Sequence, residues 1–392
     1  MIFKIPLAWL QLVQQKVRFV VAVAGIGFIV LLMFIQLGFQ DALYSSATAM
    51  HQSLKGDLFL VSAQYKSLTS NQSYSRTRLY QTLGFEGVES VGSMYLQFAK
   101  LKNPVNGQKY SIYVIGFDPS NSIISIPEIE QNLDKLKVPD YMLFDKDSRP
   151  EFGPIAENFE KGETERTIEI FAFDALKGYQ VRVAGLFSLG PSFGVDGNLI
   201  VSDSTFLRIN PNTRPVDRID IGSITLKPNA NAKQVLANLT ANLPNDVKVF
   251  TKEEFINFEK QYWADRTPIG FILNLMITMA SVVGIVIVYQ ILYSNISTQF
   301  IAYATLKAIG YPNSYLLNVV FQQALILALL GYIPGFIVSL GIYDFAMKAT
   351  KLPIMMNTQN AILVSVSTIL ICITSGALAI NKLRSADPAD IF

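Results

Sequence analysis

The chain has 392 residues, 51% of them hydrophobic and 16% charged, with a formal net charge of +2 and a mean hydropathy of +0.33. So slight a positive excess excludes the concentrated basic face that nucleic-acid partners need. One cysteine, Cys372, allows no intrachain disulfide, and one cysteine with one histidine cannot build a zinc site or a Cys–His nucleophile.

Charge is segregated along the chain. Residues 41–266 carry 24 of the 32 Lys/Arg and 27 of the 30 Asp/Glu, and the rest is apolar. Residues 2–18 read as an interfacial helix: Ile5, Leu7, Ala8, Trp9, Leu12 and Val13 cover one side, Gln11, Gln14, Gln15 and Lys16 lie largely opposite, and Pro6 suits a first turn. Phe19–Gln40 then runs 22 residues without a charge. A secretory apolar region is ~7–15 residues, and a bilayer core of ~30 Å takes about 20 helical residues, so this segment reads as an uncleaved first span. Its basic lead, Lys4, Lys16 and Arg18, favours a cytoplasmic N-terminus, which puts residues 41–266 outside.

Asp41–Leu54 extends the first helix outward as one half of a stalk, with the lone histidine, His51, expected to be a solvated surface residue. The outer region alternates strand and helix signals. Strands are expected at Gly56–Ala63, Val88–Leu101, Lys109–Phe117, Thr167–Phe173, Tyr179–Phe187, Asn198–Ser202, Arg218–Lys227 and Val247–Phe250, and helices at Ser75–Leu83 and Ala230–Asn242. Dense Pro and Gly over residues 103–153 predict loops or a subdomain boundary there. The order implies an α+β domain whose two flanks form one subdomain around a β-rich insertion. Thr251-Lys252-Glu253-Glu254 is a capping box that opens a second stalk helix reaching Arg266.

Residues 267–392 hold three further uncharged segments, Pro268–Tyr293, Leu316–Tyr343 and Ala361–Ile380. The fold class is thus a membrane α-helical protein, one span plus three, with a large extracytoplasmic α+β domain after the first. Four crossings return the C-terminus to the cytoplasm. No Walker loop is present. The spans carry no acids, which counts against a proton- or sodium-coupled carrier, so energy for transport would come from another subunit. Gly331-Tyr332-Ile333-Pro334-Gly335 has the spacing of a close helix contact, here a candidate dimer contact, and Pro334 equally suits a kink. Between the second and third spans, residues 297–310 form a short cytoplasmic helix ending at Gly310, with Pro312 beyond it.

Thr305-Leu306-Lys307-Ala308-Ile309-Gly310-Tyr311-Pro312, with the tail Leu383-Arg384-Ser385-Ala386-Asp387-Pro388-Ala389-Asp390-Ile391-Phe392, resembles permeases of the MacB/FtsX type, the mechanotransmitting class of ABC transporters. The resemblance covers the whole chain. Together with Leu189-Gly190-Pro191-Ser192-Phe193-Gly194-Val195-Asp196-Gly197, these segments look like the DevC subfamily of cyanobacterial exporters. That resemblance implies a homodimeric inner-membrane permease among membrane lipids, with a DevA-like ATPase that binds the ATP and Mg, so that this chain holds no cofactor and is no enzyme itself. It also implies a DevB-like membrane-fusion protein, a TolC-like outer-membrane channel, and export of a heterocyst glycolipid or other amphiphile. It assigns ATPase coupling to Thr305–Pro312 with Asp387, Pro388 and Asp390. Many family members place Arg-x-x-Glu ahead of the coupling Leu-Lys; Gln299 and Ala302 stand in that region here, so docking leans on shape rather than ion pairs.

Phe193, Gly194, Asp196 and Gly197 lie in a loop that suits a partner contact with Phe193 as aromatic anchor, or else a buried turn with Phe193 in the domain's own core. The alternative function is an FtsX-like scaffold that transports nothing and relays ATP-driven motion to a cell-wall enzyme.

Overall fold

The computed structural model describes residues 7–162, 167–172, 175–210 and 215–384. Lys4 and Pro6, the end of the expected strand at Phe173, and the tail with Asp387, Pro388 and Asp390 lie outside the described residues. The helices are α1 (Leu7–Gln14), α2 (Lys16–Ser53), α3 (Arg76–Gln81), α4 (Pro127–Glu130), α5 (Leu133–Leu136), α6 (Ile155–Glu160), α7 (Asp203–Ile209), α8 (Ala232–Asn242), α9 (Lys252–Asp265), α10 (Pro268–Thr298), α11 (Phe300–Ala308), α12 (Asn313–Thr350) and α13 (Thr358–Arg384). The strands are β1 (Leu58–Ser62), β2 (Tyr74–Ser75), β3 (Val88–Lys102), β4 (Lys109–Phe117), β5 (Tyr141–Asp145), β6 (Thr167–Ala172), β7 (Tyr179–Phe187), β8 (Asn198–Ser202), β9 (Arg218–Ile219), β10 (Ile221–Leu226) and β11 (Val247–Thr251). Among the described residues, four helices, α2, α10, α12 and α13, are long and apolar enough to cross a membrane, and the α/β domain lies between the first and second, which is the expected fold class.

The chain forms two compact units. One comprises α1, α2 as far as Asp41, α10 through α12 to Lys348, and α13; the other is Ala42–Thr267 with Ala349–Pro353.

In the α/β unit the strand order is β11-β1-β10-β3-β4-β8-β5-β7-β6, and β6 also pairs with β3. The pairs β4–β8 and β5–β7 are parallel and the others antiparallel. Strands β3, β4, β8, β5, β7 and β6 therefore close on themselves, while β10, β1 and β11 extend from the first half of β3. That strand is 15 residues long, enough to serve both parts. Alternate side chains of a strand point to opposite faces, and here both faces are dry. Leu58 and Leu60 enter one core, Phe59 and Val61 the other; Ile112 and Val114 separate likewise from Tyr113, Ile115 and Phe117. Leu79 of α3, Phe206 of α7 and Leu239 of α8 cover the first core. Met50 from the outer end of α2 and Phe255 from α9 belong to the second, so the two stalk helices are a layer of the domain itself.

Three expectations need correcting. Residues 103–153 are not only loop: β5 lies there, its apolar Met142-Leu143-Phe144 run buried between β7 and β8. Pro139 and Asp140 beside it supplied the turn signal that hid so short a strand. The strand expected over Arg218–Lys227 is two, because the buried Asp220 leaves the ladder to accept the Leu96 backbone N–H at 2.6 Å. The expected helix at Ser75–Leu83 is Ser75-capped α3 followed by a single 3-10 turn at Thr82–Gly84.

In the helical unit, backbones approach closely where side chains vanish. A Cβ on Gly331 would stand 2.5 Å from Ile26 Cγ2, and one on Gly335 would stand 2.6 Å from the Gly27 carbonyl oxygen. The small-residue motif is thus a close contact between α12 and α2 of one chain, and α12 continues as a helix through Pro334. The Tyr343 hydroxyl donates to the Phe34 carbonyl across the same pair. Ser375 Oγ of α13 donates to the Ile285 carbonyl of α10 at 3.0 Å. Asn360 Nδ2 donates to Asp41 Oδ2 at 2.7 Å, and Gln40 Nε2 to Asn274 Oδ1 at 2.9 Å.

A side chain at Gly335 has nowhere to go, since its nearest neighbours are backbone and Val30. Gly335→Val is expected to destabilise the helical unit by ~1–3 kcal/mol through overpacking, with Gly341→Ala, which meets nothing within 4 Å, near neutral. Thermal unfolding in detergent separates the two; equal behaviour would show that α12 does not seat on α2 through this face.

Candidate functional site

The segment between the second and third spans is built to end sharply. Phe300–Ala308 contains mostly good helix formers, and the chain then turns at Gly310, whose φ is +102°. The Tyr311 N–H reaches the Leu306 carbonyl at 3.1 Å and the Gly310 N–H reaches Lys307 at 3.0 Å. These two bonds make a Schellman motif with Gly310 in the left-handed position. Pro312 follows and cannot rejoin the helix. The segment shows an apolar and lightly basic surface: Ile301 and Ile309 are 70% and 71% exposed, Tyr311 is 43% exposed, and Thr305, Lys307, Ala308 and Pro312 are exposed beside them. Leu306 is half-buried, and Tyr303 is turned fully inward. Thr305 Oγ1 bonds back to the Ile301 carbonyl at 2.8 Å, so its hydroxyl is already used.

The stalk helices are joined by a buried polar cluster that the sequence reading did not find. His51, expected in solvent, is 1% exposed and packs edge-on against Phe255 at 4.4 Å. Its Nε2 lies 3.2 Å from the Tyr65 hydroxyl and 3.5 Å from Glu259 Oε2. Glu259, also 1% exposed, accepts from Trp263 Nε1 at 3.0 Å, from the Leu68 N–H at 2.9 Å and from the Tyr65 hydroxyl at 3.1 Å. Burial pushes the Glu259 carboxyl up to about 7, against the pull of those donors. Burial also pushes the His51 imidazole, on the outer part of α2 that belongs to the α/β unit, down to about 3, with the Ala47 carbonyl opposing in part. The 3.5 Å approach therefore joins a neutral imidazole to the carboxyl.

Glu259 and Trp263 also line a narrow cleft with Met50, Leu68, Leu189 and Ser192. Its far wall is the loop after β7, held by Asp145 at the end of β5. That carboxylate, fully buried, accepts from the Leu189 N–H at 3.2 Å, the Gly190 N–H at 2.9 Å and Asn198 Nδ2 at 2.8 Å. Burial raises it to about 6 even so. Within the loop, Phe193 is half-buried and absent from both hydrophobic cores, whereas Val195 is a core residue. A Cβ on Gly194 would meet Trp263 at 3.1 Å, and one on Gly197 would meet Phe152 at 2.5 Å, so both are packing positions. Asp196 pairs with Arg149 at 3.2 Å and is engaged within its own domain.

Glu259 keeps its proton in the fold up to about pH 7 but loses it near 4.5 in the unfolded chain, so its contribution to stability is full below 4.5 and is lost as pH rises to 7. His51 runs the other way: its contribution is present above 6.5 and is lost as pH falls toward 3. Glu259→Gln removes the first term alone. Relative to the unsubstituted chain, this variant is expected to gain about 1.4 kcal/mol per pH unit across that interval. Denaturant unfolding of the full chain in detergent at about pH 5 and about pH 7 measures the difference; a pH-independent difference would mean that Glu259 titrates alike in both states.

Residues 274–388 match the family described as FtsX-like permease C-terminal. No curated protein matches the chain. Among solved structures, the periplasmic region of MacB from Actinobacillus actinomycetemcomitans is similar at a TM-score of 0.34 and 12% identity, over 51% of this chain and 91% of that one. The extracellular domain of the noncanonic ABC-type transporter YknZ from Gram-positive bacteria is similar at a TM-score of 0.31 and 14% identity, over 50% and 99%. At such TM-scores the two likenesses carry no argument about this chain. The matched residues take in most of α10 together with α11, α12 and α13, so the likeness to the FtsX-like permease C-terminal family falls on the three later spans and the helix between the first two of them.

Proposed function

We propose that this chain is the permease subunit of an ATP-driven exporter of the mechanotransmission type. The observation that carries the reading is the FtsX-like permease C-terminal match together with the exposed, Schellman-ended α11 inside it. In this reading both termini and α11 are cytoplasmic and the α/β unit is extracytoplasmic. The ATPase subunit seats on Leu306, Ile309, Gly310 and Tyr311, with Thr305, Lys307, Ala308 and Pro312 around them and Asp387, Pro388 and Asp390 packing nearby. ATP and Mg stay on that partner.

The permease works as a homodimer. Its cargo is an amphiphile such as a glycolipid, handled by the outer domain rather than through a pore, because the four uncharged spans offer no polar path. Motion reaches the outer domain through residues 41–54 and 251–266, which form one layer of that domain's core. The half-buried Phe193, outside both cores, is the candidate anchor for a membrane-fusion protein that leads to an outer-membrane channel.

Gly310→Val tests the docking surface. Nothing stands within 4 Å of a Cβ there, so the substitution acts through φ alone, at on the order of 1–3 kcal/mol of local strain. The expected outcome is loss of the co-purifying ATPase with normal membrane insertion; an undiminished complex would sink the docking assignment. For the loop, Phe193→Ala is expected to weaken capture of the fusion protein while the unfolding temperature stays unchanged. A fall of ~3–5 kcal/mol in stability would instead make Phe193 a core residue.

A further inference from the structure

The amphipathic reading of the N-terminal helix put Gln11 on its solvated side. Gln11 is instead buried, at 8% exposure, and it is the shared acceptor of a three-helix cluster. The Tyr303 hydroxyl of α11 donates to Gln11 Oε1 at 3.1 Å, and Gln323 Nε2 of α12 donates to the same oxygen at 2.8 Å. Gln323 Nε2 also lies 3.4 Å from the Tyr303 oxygen, and Tyr303 and Gln323 are 2% and 1% exposed. A fourth bond runs from Gln299 Nε2, just ahead of α11, to the Gln11 carbonyl at 3.0 Å. That carbonyl is among the last four of α1, which have no acceptor role within the helix.

Among the described side chains of α11, Tyr303 is the one that is fully buried. Apart from its chain connections, α11 is therefore held chiefly by this cluster. We propose that Gln11 is a positioning residue: it makes α1, α11 and α12 move as one body, so that a load applied to the exposed face of α11 reaches α2 through α1. The load path is short, because α1 ends at Gln14 and α2 begins at Lys16. This inference rests on the proposed docking of an ATPase to α11.

The test uses the full chain in nanodiscs with its co-purified ATPase, in a Cys372→Ser background. Spin labels are placed at two exposed positions, Leu10 on α1 and Ile301 on α11. With the cluster intact, the distance between labels is expected to be narrow and the same with and without ATP–Mg. Gln11→Met and Tyr303→Phe are expected to retain the ATPase but to let the labels separate on ATP–Mg, raising the separated population about fivefold, the weight of one buried hydrogen bond. The double variant should be no worse than either single one, since both cut the same link.

A lowered unfolding temperature with a nucleotide-independent distance would assign the cluster a purely structural role and overturn the proposal. So would label separation on ATP–Mg in the unsubstituted cluster. Failure of any ATPase to co-purify with the unsubstituted chain is a different result: it removes the docking reading, and this inference with it.

Discussion

A carboxylate withdrawn from water must gather donors or keep its proton, and the α/β unit is arranged around three that do so. Glu259 collects the indole of its own helix together with Tyr65 and Leu68, nearly two hundred residues away in sequence. Asp145 gathers the two ends of the loop after β7. Asp220 breaks the strand it sits in and takes the Leu96 N–H instead. Glu259 and Asp145 each fix a loop segment outside the strands. Removing one partner would leave the others dry and unpaired, which costs more than a typical hydrogen bond contributes. The irregular parts of the domain are therefore as determined as its sheet, and the cleft between the stalk helices and the loop is a consequence of two such anchors meeting there.

What could be read from the sequence follows from this. Apolar runs with few polar interruptions located most of the strands, because a strand buried on both faces leaves a nearly continuous hydrophobic signature, as in β4 and β8. The capping box at Thr251 formed as expected, with Glu254 reaching back to the cap N–H at 2.9 Å, because that device is complete within four residues. The larger failures involve partners distant in the chain. β5 is too short to stand out from its turn-rich surroundings and is buried only because β7 and β8 flank it. His51 was placed in solvent by residue type and Gln11 by the helical pattern of its apolar neighbours. Yet Gln11 meets Tyr303 and Gln323 about three hundred positions later, and a local helical pattern carries no trace of either. The segment between the second and third spans was legible down to its left-handed glycine, since the Gly and Pro that end it are local, whereas the burial of Tyr303 was not.

The helical unit is held by a different balance. Many hydroxyls within the spans are spent on their own helix: Thr278 on Asn274, Ser281 on Ile277, Thr368 on Val364 and Thr374 on Leu370. Of the bonds that cross between spans, those from Tyr343, Ser375 and Tyr332 go to backbone carbonyls. Cohesion there comes mainly from close packing, as expected where lipid supplies no hydrophobic drive between helices.

The α2–α12 contact shows what that packing permits. With Gly27, Gly331 and Gly335 in register, the two backbones meet so closely that a single methyl group would collide with a carbonyl oxygen. A surface so matched has few alternative positions, because sliding either helix carries the bulkier Ile26 or Val30 into the place of a glycine. Packed interfaces of this kind keep one arrangement or jump to another, and do not shear continuously. The first and third spans are thus a rigid pair. Neither Phe19–Gln40 nor Leu316–Tyr343 contains an Asp, Glu, Lys, Arg or His that could switch the contact by titration. Polar side chains that join the helices of the unit gather toward the two ends of this pair: Arg18 with Thr298 and the Gln11 cluster at one, Asp41 with Asn360 and Gln40 with Asn274 at the other.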